Sequence, residues 1–335
     1  MLAAALASAP HEAAAQNLFF SSDGREVRRI KMFPPATEGE QGHTFAITYD
    51  AATGEQIRSL DLGSDTWFFS ATTDGRIVIV SKDRDRNDVP ARLLRVDLKT
   101  GRSQPLPSSW FDDDDHNPYA QISGDGRLVS GYSEEGPEES PRIVTVYRWR
   151  GKKIVAEQST GHSAGGFDGG GVTPDGKIEF TNNRSGSQVV DPKTGQVLVS
   201  YGPTSVRSAD GAWIVDFPNP SYGGDRNYVP ILNGMNGEPV GKLDITLTDD
   251  EIVPWWRGAF CGASRRFVAS GPGQVIVFEI PSGKRIATFR VETWADPATV
   301  NLSERDRPIP SVACSSSGKR IAIDDGTRFT LHNVK

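Results

Sequence analysis

The stretch Thr73-Asp74-Gly75-Arg76-Ile77-Val78-Ile79-Val80 decides the fold, because its pattern of a polar turn followed by β-branched residues recurs along the chain. Gly accepts a positive φ at low steric cost, and an Asp side chain bonds nearby backbone N–H groups, so Asp-Gly is typical of a hairpin turn. The turn recurs with Asp at positions 23, 74, 125 and 175, at steps of 51, 51 and 50 residues. A fixed period of this size predicts a propeller, a solenoid or an array.

Looser copies of the turn and a second type of turn complete the repeat. The looser copies are Ala209-Asp210-Gly211, Ser264-Arg265-Arg266 and Ser317-Gly318-Lys319. The second turn has the pattern Asp-x-x-Thr-Gly and begins at Asp50, Asp97 and Asp191. Between turns lie short runs of β-forming residues, so each unit predicts four strands, which we call a to d. Units are predicted to begin near Asn17, Trp67, Tyr119, Gly166, Thr204, Arg257 and Ser311, the last without a d strand.

These units predict an all-β fold, a seven-bladed β-propeller of four-stranded antiparallel blades with an incomplete last blade. Several strands are apolar on both faces, whereas a sandwich strand has one wet face and alternates polar with apolar residues. Inner strands of a propeller are covered by a neighbouring blade on each side, which permits such runs. We expect one propeller domain over residues 17–335 and an Ala-rich leader or signal-peptide remnant over residues 1–16.

The turns also resemble those of a known family. Ser315-Ser316-Ser317-Gly318-Lys319-Arg320-Ile321-Ala322-Ile323 and Val172-Thr173-Pro174-Asp175-Gly176-Lys177 look like the a–b turn of a WD-repeat blade, and Gly161-His162 resembles that family's Gly-His dipeptide. The Trp-Asp dipeptide itself is absent, and Tyr49-Asp50, Val96-Asp97 and Val190-Asp191 are its nearest substitutes. The resemblance implies a divergent, bacterial WD-repeat-like propeller that serves as a binding platform without chemistry of its own.

The net charge of the chain and the length of its apolar runs limit the classes of partner that it can bind. The net charge is −6, and we expect no concentrated basic surface, so neither nucleic acid nor an anionic membrane surface is expected as a partner. No apolar run approaches the roughly 20 residues that cross a bilayer, so membrane insertion is not expected. No haem-attachment motif, phosphate loop or nucleophile elbow is present, and no cofactor is expected. The partner class that remains is a protein or peptide.

The N-terminus and the cysteines bear on the compartment. Ala13-Ala14-Ala15 fits a small-x-small cleavage site, which favours a periplasmic or secreted protein, but the start lacks a basic n-region, so a cytoplasmic location stays open. Cys261 and Cys314 occupy equivalent positions in neighbouring units. Because adjacent blades diverge from the axis, we expect two small buried thiols rather than a disulfide.

The long connections of the repeat predict a binding face. Antiparallel strands place the tight a–b and c–d turns on one face and the long b–c and d–a connections on the other, and long loops on a rigid scaffold commonly carry binding. The alternative is that the large aromatic residues there pack loop bases onto the blades, which we expect for most of the tryptophans. The candidate partner-binding residues are Trp110, Asp113, His116, Tyr222, Arg226, Trp255 and Trp294.

A second hypothesis is enzymatic. A propeller hydrolase or lactonase would hold a metal at the axial mouth with loop carboxylates and histidines, and His43, His116 and His162 are all predicted on the long-loop side. The run Asp112-Asp113-Asp114-Asp115 offers oxygen ligands but lacks the ordered spacing of a calcium loop, so we expect it to be solvated. We therefore assign no metal ligand and no catalytic residue, and the binding platform remains the first hypothesis.

Overall fold

The computed structural model describes residues 17–33, 42–82, 92–107, 110, 119–133, 143–159, 169–182, 186–202, 205–217, 229–245, 257–262, 265–271, 273–291, 309–325 and 328–335. Within them the chain forms seven antiparallel sheets arranged as a ring, each sheet a blade. No described segment forms a helix of the length and hydropathy that crossing a membrane requires. The all-β, seven-bladed propeller predicted from the repeat is therefore confirmed.

The blades follow one another in chain order, and strands a to d of each blade are adjacent in the sheet. Blades 1 to 3 are β1 Leu18–Phe20, β2 Glu26–Phe33, β3 His43–Asp50 and β4 Gln56–Ser64; β5 Thr66–Ala71, β6 Ile77–Lys82, β7 Arg92–Asp97 and β8 Arg102–Pro105; and β9 Tyr119–Ile122, β10 Leu128–Ser133, β11 Ile143–Arg148 and β12 Lys153–Ser159. Blades 4 and 5 are β13 Gly169–Val172, β14 Ile178–Asn182, β15 Gly186–Val190 and β16 Val197–Tyr201; and β17 Val206–Arg207, β18 Trp213–Val215, β19 Pro230–Asn233 and β20 Pro239–Lys242. Blade 6 is β21 Arg257–Cys261, β22 Arg266–Gly271, β23 Gln274–Glu279 and β24 Arg285–Arg290, and blade 7 is β25 Ser311–Cys314, β26 Arg320–Asp324 and β27 Phe329–Asn333.

The a–b turn is closed by its own side chains, as blade 2 illustrates. The Thr72 hydroxyl donates to Asp74 at 2.8 Å and accepts the backbone N–H of Ile77 at 3.1 Å, while Asp74 accepts the N–H of Arg76 at 3.0 Å. Gly75 turns the chain at φ 61°. The same hydroxyl-to-carboxylate bond forms in four further blades, between Ser21 and Asp23, Ser123 and Asp125, Thr173 and Asp175, and Ser208 and Asp210. The repeated turn therefore satisfies its polar groups locally.

The core lies between blades, and β6 shows how one strand serves two interfaces. Val78 and Val80 belong to the apolar cluster shared with blade 1, whereas Ile77 and Ile79 belong to the cluster shared with blade 3. Successive side chains of a strand point to opposite faces, so a strand covered on both flanks needs an apolar residue at every position. The apolar runs predicted a propeller rather than a sandwich because both faces of such strands have to be covered, and β6 confirms this explanation.

Blade 1 packs against the three-stranded blade 7 to close the ring. Arg29 of β2 forms a buried ion pair with Asp324 of β26. Tyr49 of β3 stacks on Phe329 of β27, with ring centroids 4.3 Å apart. Among the described residues no fourth strand pairs with β27, as the sequence predicted for the last blade. Within the described residues, side chains rather than a shared sheet therefore join the first and last blades.

The two cysteines form a disulfide, so the prediction of free core thiols was wrong. Cys261 and Cys314 end the innermost strands of blades 6 and 7, and their Cα atoms lie 4.9 Å apart. Blades do diverge with distance from the axis, but strand a is where neighbouring blades approach most closely. Equivalent positions on adjacent a strands therefore fall within the Cα separation that a disulfide requires.

Candidate binding face

The two faces of the ring differ in what closes their connections. On the face of the a–b and c–d turns, which we call the tight-turn face, strand ends are linked by a few hydrogen-bonded residues. In the c–d turn of blade 1, for example, Asp50 accepts the N–H groups of Ala52 and Thr53 at 2.7 and 2.9 Å. The opposite, long-loop face carries the b–c and d–a connections, among them residues 34–42, 83–91, 106–118, 134–142, 216–229, 243–256 and 291–310. The predicted asymmetry between the faces is thus present.

Trp110 is the one predicted partner-binding residue within the described part of the chain, and it lies in the core. Its side chain is 6% exposed and belongs to the apolar cluster between blades 2 and 3. It stacks on Tyr147 with centroids 4.0 Å apart and meets Trp149 edge-on at 6.2 Å. A side chain buried this deeply offers almost no area to a partner, so we assign Trp110 to packing, as expected for most of the tryptophans. Asp113, His116, Tyr222, Arg226, Trp255 and Trp294 lie outside the described residues.

An exposed aromatic cluster at the long-loop end of blade 1 is the best-defined candidate site. Phe33 meets Phe45 edge-on, with ring centroids 5.6 Å apart, and His43 stacks on Phe45 at 6.2 Å. The Lys31 ammonium lies 5.0 Å from the centroid of the Phe33 ring, and Nδ1 of His43 lies 3.4 Å from a carboxylate oxygen of Asp61. Phe33 is 38% exposed, and half of the His43 and Asp61 side-chain surface is open to solvent. We call these five residues the blade 1 overhang.

Strand register explains why these five side chains meet. Lys31 is paired with Phe45 and Phe33 with His43 between β2 and β3, and Asp61 of β4 is paired with Phe45. Residues at i and i+2 share a face of a strand, so all five side chains lie on one flank of blade 1. This flank is the one that faces blade 7.

The cluster is exposed because blade 1 is longer than its neighbour. Arg29 pairs with Asp324, which is the last residue of β26. Lys31 and Phe33 follow on the same face of β2 and therefore extend beyond the end of β26. Among the described residues, blade 7 covers this flank at the level of Arg29 but not at the level of Phe33. Within the described part of the chain, unequal strand length creates this surface.

The sequence contains a signal for this cluster on either side of the first b–c connection. Lys31 and Phe33 alternate before that connection, and His43 and Phe45 alternate after it. Hairpin pairing across the connection places both pairs on one face. The length of blade 7, which leaves the face open, is not readable from this segment, and so the sequence prediction fell on the tryptophans instead.

A polar cluster between blades 4 and 5 is the other unusual electrostatic feature. The Tyr201 hydroxyl donates to the Glu179 carboxyl at 2.8 Å, and Arg207 contacts Asp175 at 3.0 Å and the carbonyl of Gly234 at 2.7 Å. Burial raises the pKa of Glu179 above its ordinary value of 4.5, an effect that the hydrogen bond from Tyr201 opposes. Burial also raises the pKa of Tyr201. Arg207 joins blade 5 to blade 4 through Asp175, and the raised pKa of Glu179 beside it predicts that the stability of this region depends on pH.

The metal-dependent hypothesis gains no support from the described residues. Among them no three His, Cys, Asp or Glu side chains are grouped so that they could share an ion. His43 is the one member of the predicted histidine trio within the described ranges, and its carboxylate neighbour is Asp61 alone. His116 and His162 lie outside the described residues. No contact within the described ranges favours a hydrolase or lactonase as a second candidate function.

Comparison with known proteins does not identify a family for this chain. The chain matches no known protein-family model and no curated protein. The class of protein that the structure defines is a seven-bladed β-propeller.

Proposed function

We propose that the chain is a non-enzymatic, WD-repeat-like β-propeller that binds a protein or peptide through its long-loop face. The blade 1 overhang carries the proposal. Aromatic side chains with a few flanking charges are enriched where proteins recognise partners, and the overhang offers Phe33, Phe45 and Lys31 on one rigid strand pair. The tight-turn face differs because its repeated carboxylates and hydroxyls are bonded within their own turns.

The loop residues predicted from the sequence belong to the same proposal. Asp113, His116, Tyr222, Arg226, Trp255 and Trp294 fall in b–c and d–a connections, which leave the blades at the end where the overhang lies. Trp294 belongs to the connection that enters blade 7, the neighbour of the overhang. Trp110 is not part of this surface because it is buried.

The disulfide supports a periplasmic or secreted location for this activity. Disulfides form and persist in oxidising compartments, and cytosolic thiols are kept reduced. Cys261 and Cys314 are both consumed by the bond, and no free cysteine remains in the chain. This agrees with the cleavage-site pattern near Ala15 and disfavours the cytoplasmic alternative.

Selection from a phage-displayed peptide library on the purified protein tests the proposal. Enriched peptides would be synthesised with a fluorophore and titrated against the wild type and a Phe33→Ala, Phe45→Ala variant. Removing two aromatic anchors should weaken binding by about tenfold or more, since aromatic hot spots carry a large share of interface energy. Met235→Ala is the matched control, because Met235 is 65% exposed and lies in a c–d turn on the tight-turn face. Peptides that bind the overhang variant as tightly as the wild type would contradict the proposal.

A further inference from the structure

A hairpin on the tight-turn face departs from the repeat in charge and in packing. It connects β11 to β12 in blade 3 and comprises residues 148–155, which we call the blade 3 hairpin. The segment from Ile143 to Val155 contains four cations and no carboxylate, although the whole chain has a net charge of −6. The four cations, Arg148, Arg150, Lys152 and Lys153, are all exposed. None of them forms an ion pair with a carboxylate in the described part of the chain.

The tip of this hairpin stands clear of the rest of the molecule. A methyl group added at Gly101, Gly195 or Gly237, in the c–d turns of blades 2, 4 and 5, would contact the outer strand of the preceding blade at 3.4, 2.9 or 3.1 Å. In blade 3 that turn position is occupied by Lys152, and a methyl group added at Gly151, one residue earlier, meets nothing within 4 Å. The next residue, Lys152, has φ 49°, a left-handed conformation that is uncommon for a residue with a side chain. The cations are therefore presented on a projecting turn rather than laid against a blade.

The root of the hairpin is held by a hydrogen bond and by two ring contacts. The N–H of Trp149 donates to the carbonyl of Arg127 at 2.8 Å, and the Trp149 ring meets Trp110 edge-on. The Arg95 guanidinium lies 4.8 Å from the centroid of the Trp149 ring on the side of blade 2. Anchoring of this kind fixes where the tip points, and pre-organised contacts lose less entropy on binding.

Two exposed aliphatic residues adjoin the cations. Ile154 is 59% and Val155 41% exposed. Arg148 is paired with Lys153 at the tip and Tyr147 with Ile154 one row behind it, so the aliphatic side chains lie along the outer strand β12. A flat lipid surface touching the tip would meet the cations and reach Ile154 only after the tip itself was immersed. A chain segment lying along the rim would contact both groups together.

From this arrangement we propose that the blade 3 hairpin is a docking surface for an acidic segment of a partner protein. Carboxylates of the segment pair with Arg150, Lys152 and Lys153, and its apolar residues pack on Ile154 and Val155. Complementary charge gives such contacts orientation and a fast encounter rate, and the apolar contact adds area that salt does not screen. The surface lies on the tight-turn face and is independent of the blade 1 overhang.

Titration with a fluorescein-labelled, 12-residue peptide of Asp, Glu and two Leu residues tests the proposal. The variant Arg150→Glu, Lys152→Glu, Lys153→Glu should bind about tenfold more weakly than the wild type. Raising the salt from about 50 to 300 mM should weaken wild-type binding as well. The matched control Lys193→Glu, Lys284→Glu, Lys319→Glu removes the same charge from other turns of this face and should keep affinity within about twofold. Ile154→Ser should weaken binding several-fold without changing net charge.

Each other outcome counts against the docking surface. If both triple variants lose affinity for the peptide equally, the peptide responds only to the net charge of the protein, and the proposal is overturned. The proposal is also overturned if the hairpin variant binds the peptide with wild-type affinity and unfolds thermally like the wild type. Sedimentation with vesicles of about one-third anionic lipid is the third arm. Hairpin-dependent binding to vesicles without binding to the peptide would assign the surface to a membrane instead.

Discussion

Replacing both cysteines by alanine tests how the last joint of the ring is held. The disulfide links the innermost strands of blades 6 and 7 across a sequence separation of 53 residues. It restricts the unfolded chain to a closed loop, so its removal raises the entropy of the unfolded state and lowers the free energy of unfolding. Alanine is the better substitute because Cys261 is 3% exposed, and a serine hydroxyl there would need a buried partner.

The expected magnitude follows from the length of the loop. For a separation of 53 residues the chain-entropy relation gives about 4 kcal/mol at 25 °C. Residual structure in the unfolded chain reduces this value, so we expect the Cys261→Ala, Cys314→Ala variant to lose about 2 to 4 kcal/mol. The measurement is urea unfolding followed by tryptophan fluorescence and circular dichroism, with the wild type measured in oxidised and in reduced form.

The reduced wild type and the double variant provide the internal controls. Reductant should shift the wild-type curve towards that of the variant and leave the variant unchanged, because only the wild type has a bond to break. Thiol titration of the unfolded, unreduced wild type should detect no free cysteine. Two reactive thiols per chain, or an unfolding midpoint that is insensitive to reductant, would refute the pairing and with it the support for an oxidising compartment.

Three further substitutions probe the blade contacts. Glu179→Gln should be neutral near pH 4 and stabilising at higher pH. The folded-state pKa of Glu179 is raised above its ordinary value of 4.5, so the wild type loses stability as the pH rises from about 4.5 through the raised value, and thermal melts across pH 4 to 8 would detect this loss. Arg29→Ala should lower the free energy of unfolding by about 3 to 5 kcal/mol, because it removes the guanidinium that bonds both carboxylate oxygens of the largely buried Asp324. The exposed Arg76→Ala should cost at most about 1 kcal/mol in the same urea titrations. Trp110→Ala should cost about 3 to 5 kcal/mol by the same assay and leave peptide binding per folded molecule unchanged.

The periodic part of the fold was predictable because its causes are local. An Asp-Gly turn with a hydroxyl two residues before the Asp closes itself, as Thr72 and Asp74 do, and needs nothing from the neighbouring blade. The alternation of Ile77, Val78, Ile79 and Val80 between two apolar clusters follows from the strand period alone. Strand count, blade count and the incomplete last blade were therefore readable from residue types and spacing.

The disulfide, the exposed cluster on blade 1 and the burial of Trp110 depend on distances between blades, which cannot be derived from the sequence. Cys261 and Cys314 were recognised as equivalent, but their pairing depends on how closely two a strands approach at the axis. The exposure of Phe33 depends on β26 ending at Asp324, a comparison between the first and last blades. Trp110 illustrates the opposite error, since an aromatic residue in a long connection turned inward to stack on Tyr147.

Both proposed surfaces occur where the repeat is broken, and the physics of the repeat explains why. A regular blade is covered on both flanks by its neighbours and bonds the carboxylates of its turns internally, and its outer strand exposes single aliphatic residues such as Ile57, Val197 and Val240. Blade 1 breaks this rule by outreaching the shorter blade 7, which exposes Phe33. Blade 3 breaks it by replacing the Asp-x-x-Thr-Gly turn with Arg148-Trp149-Arg150-Gly151-Lys152, which exposes cations instead of satisfying a carboxylate. In a ring of near-identical units, binding specificity has to come from the departures, because the shared features are already committed to holding the ring together.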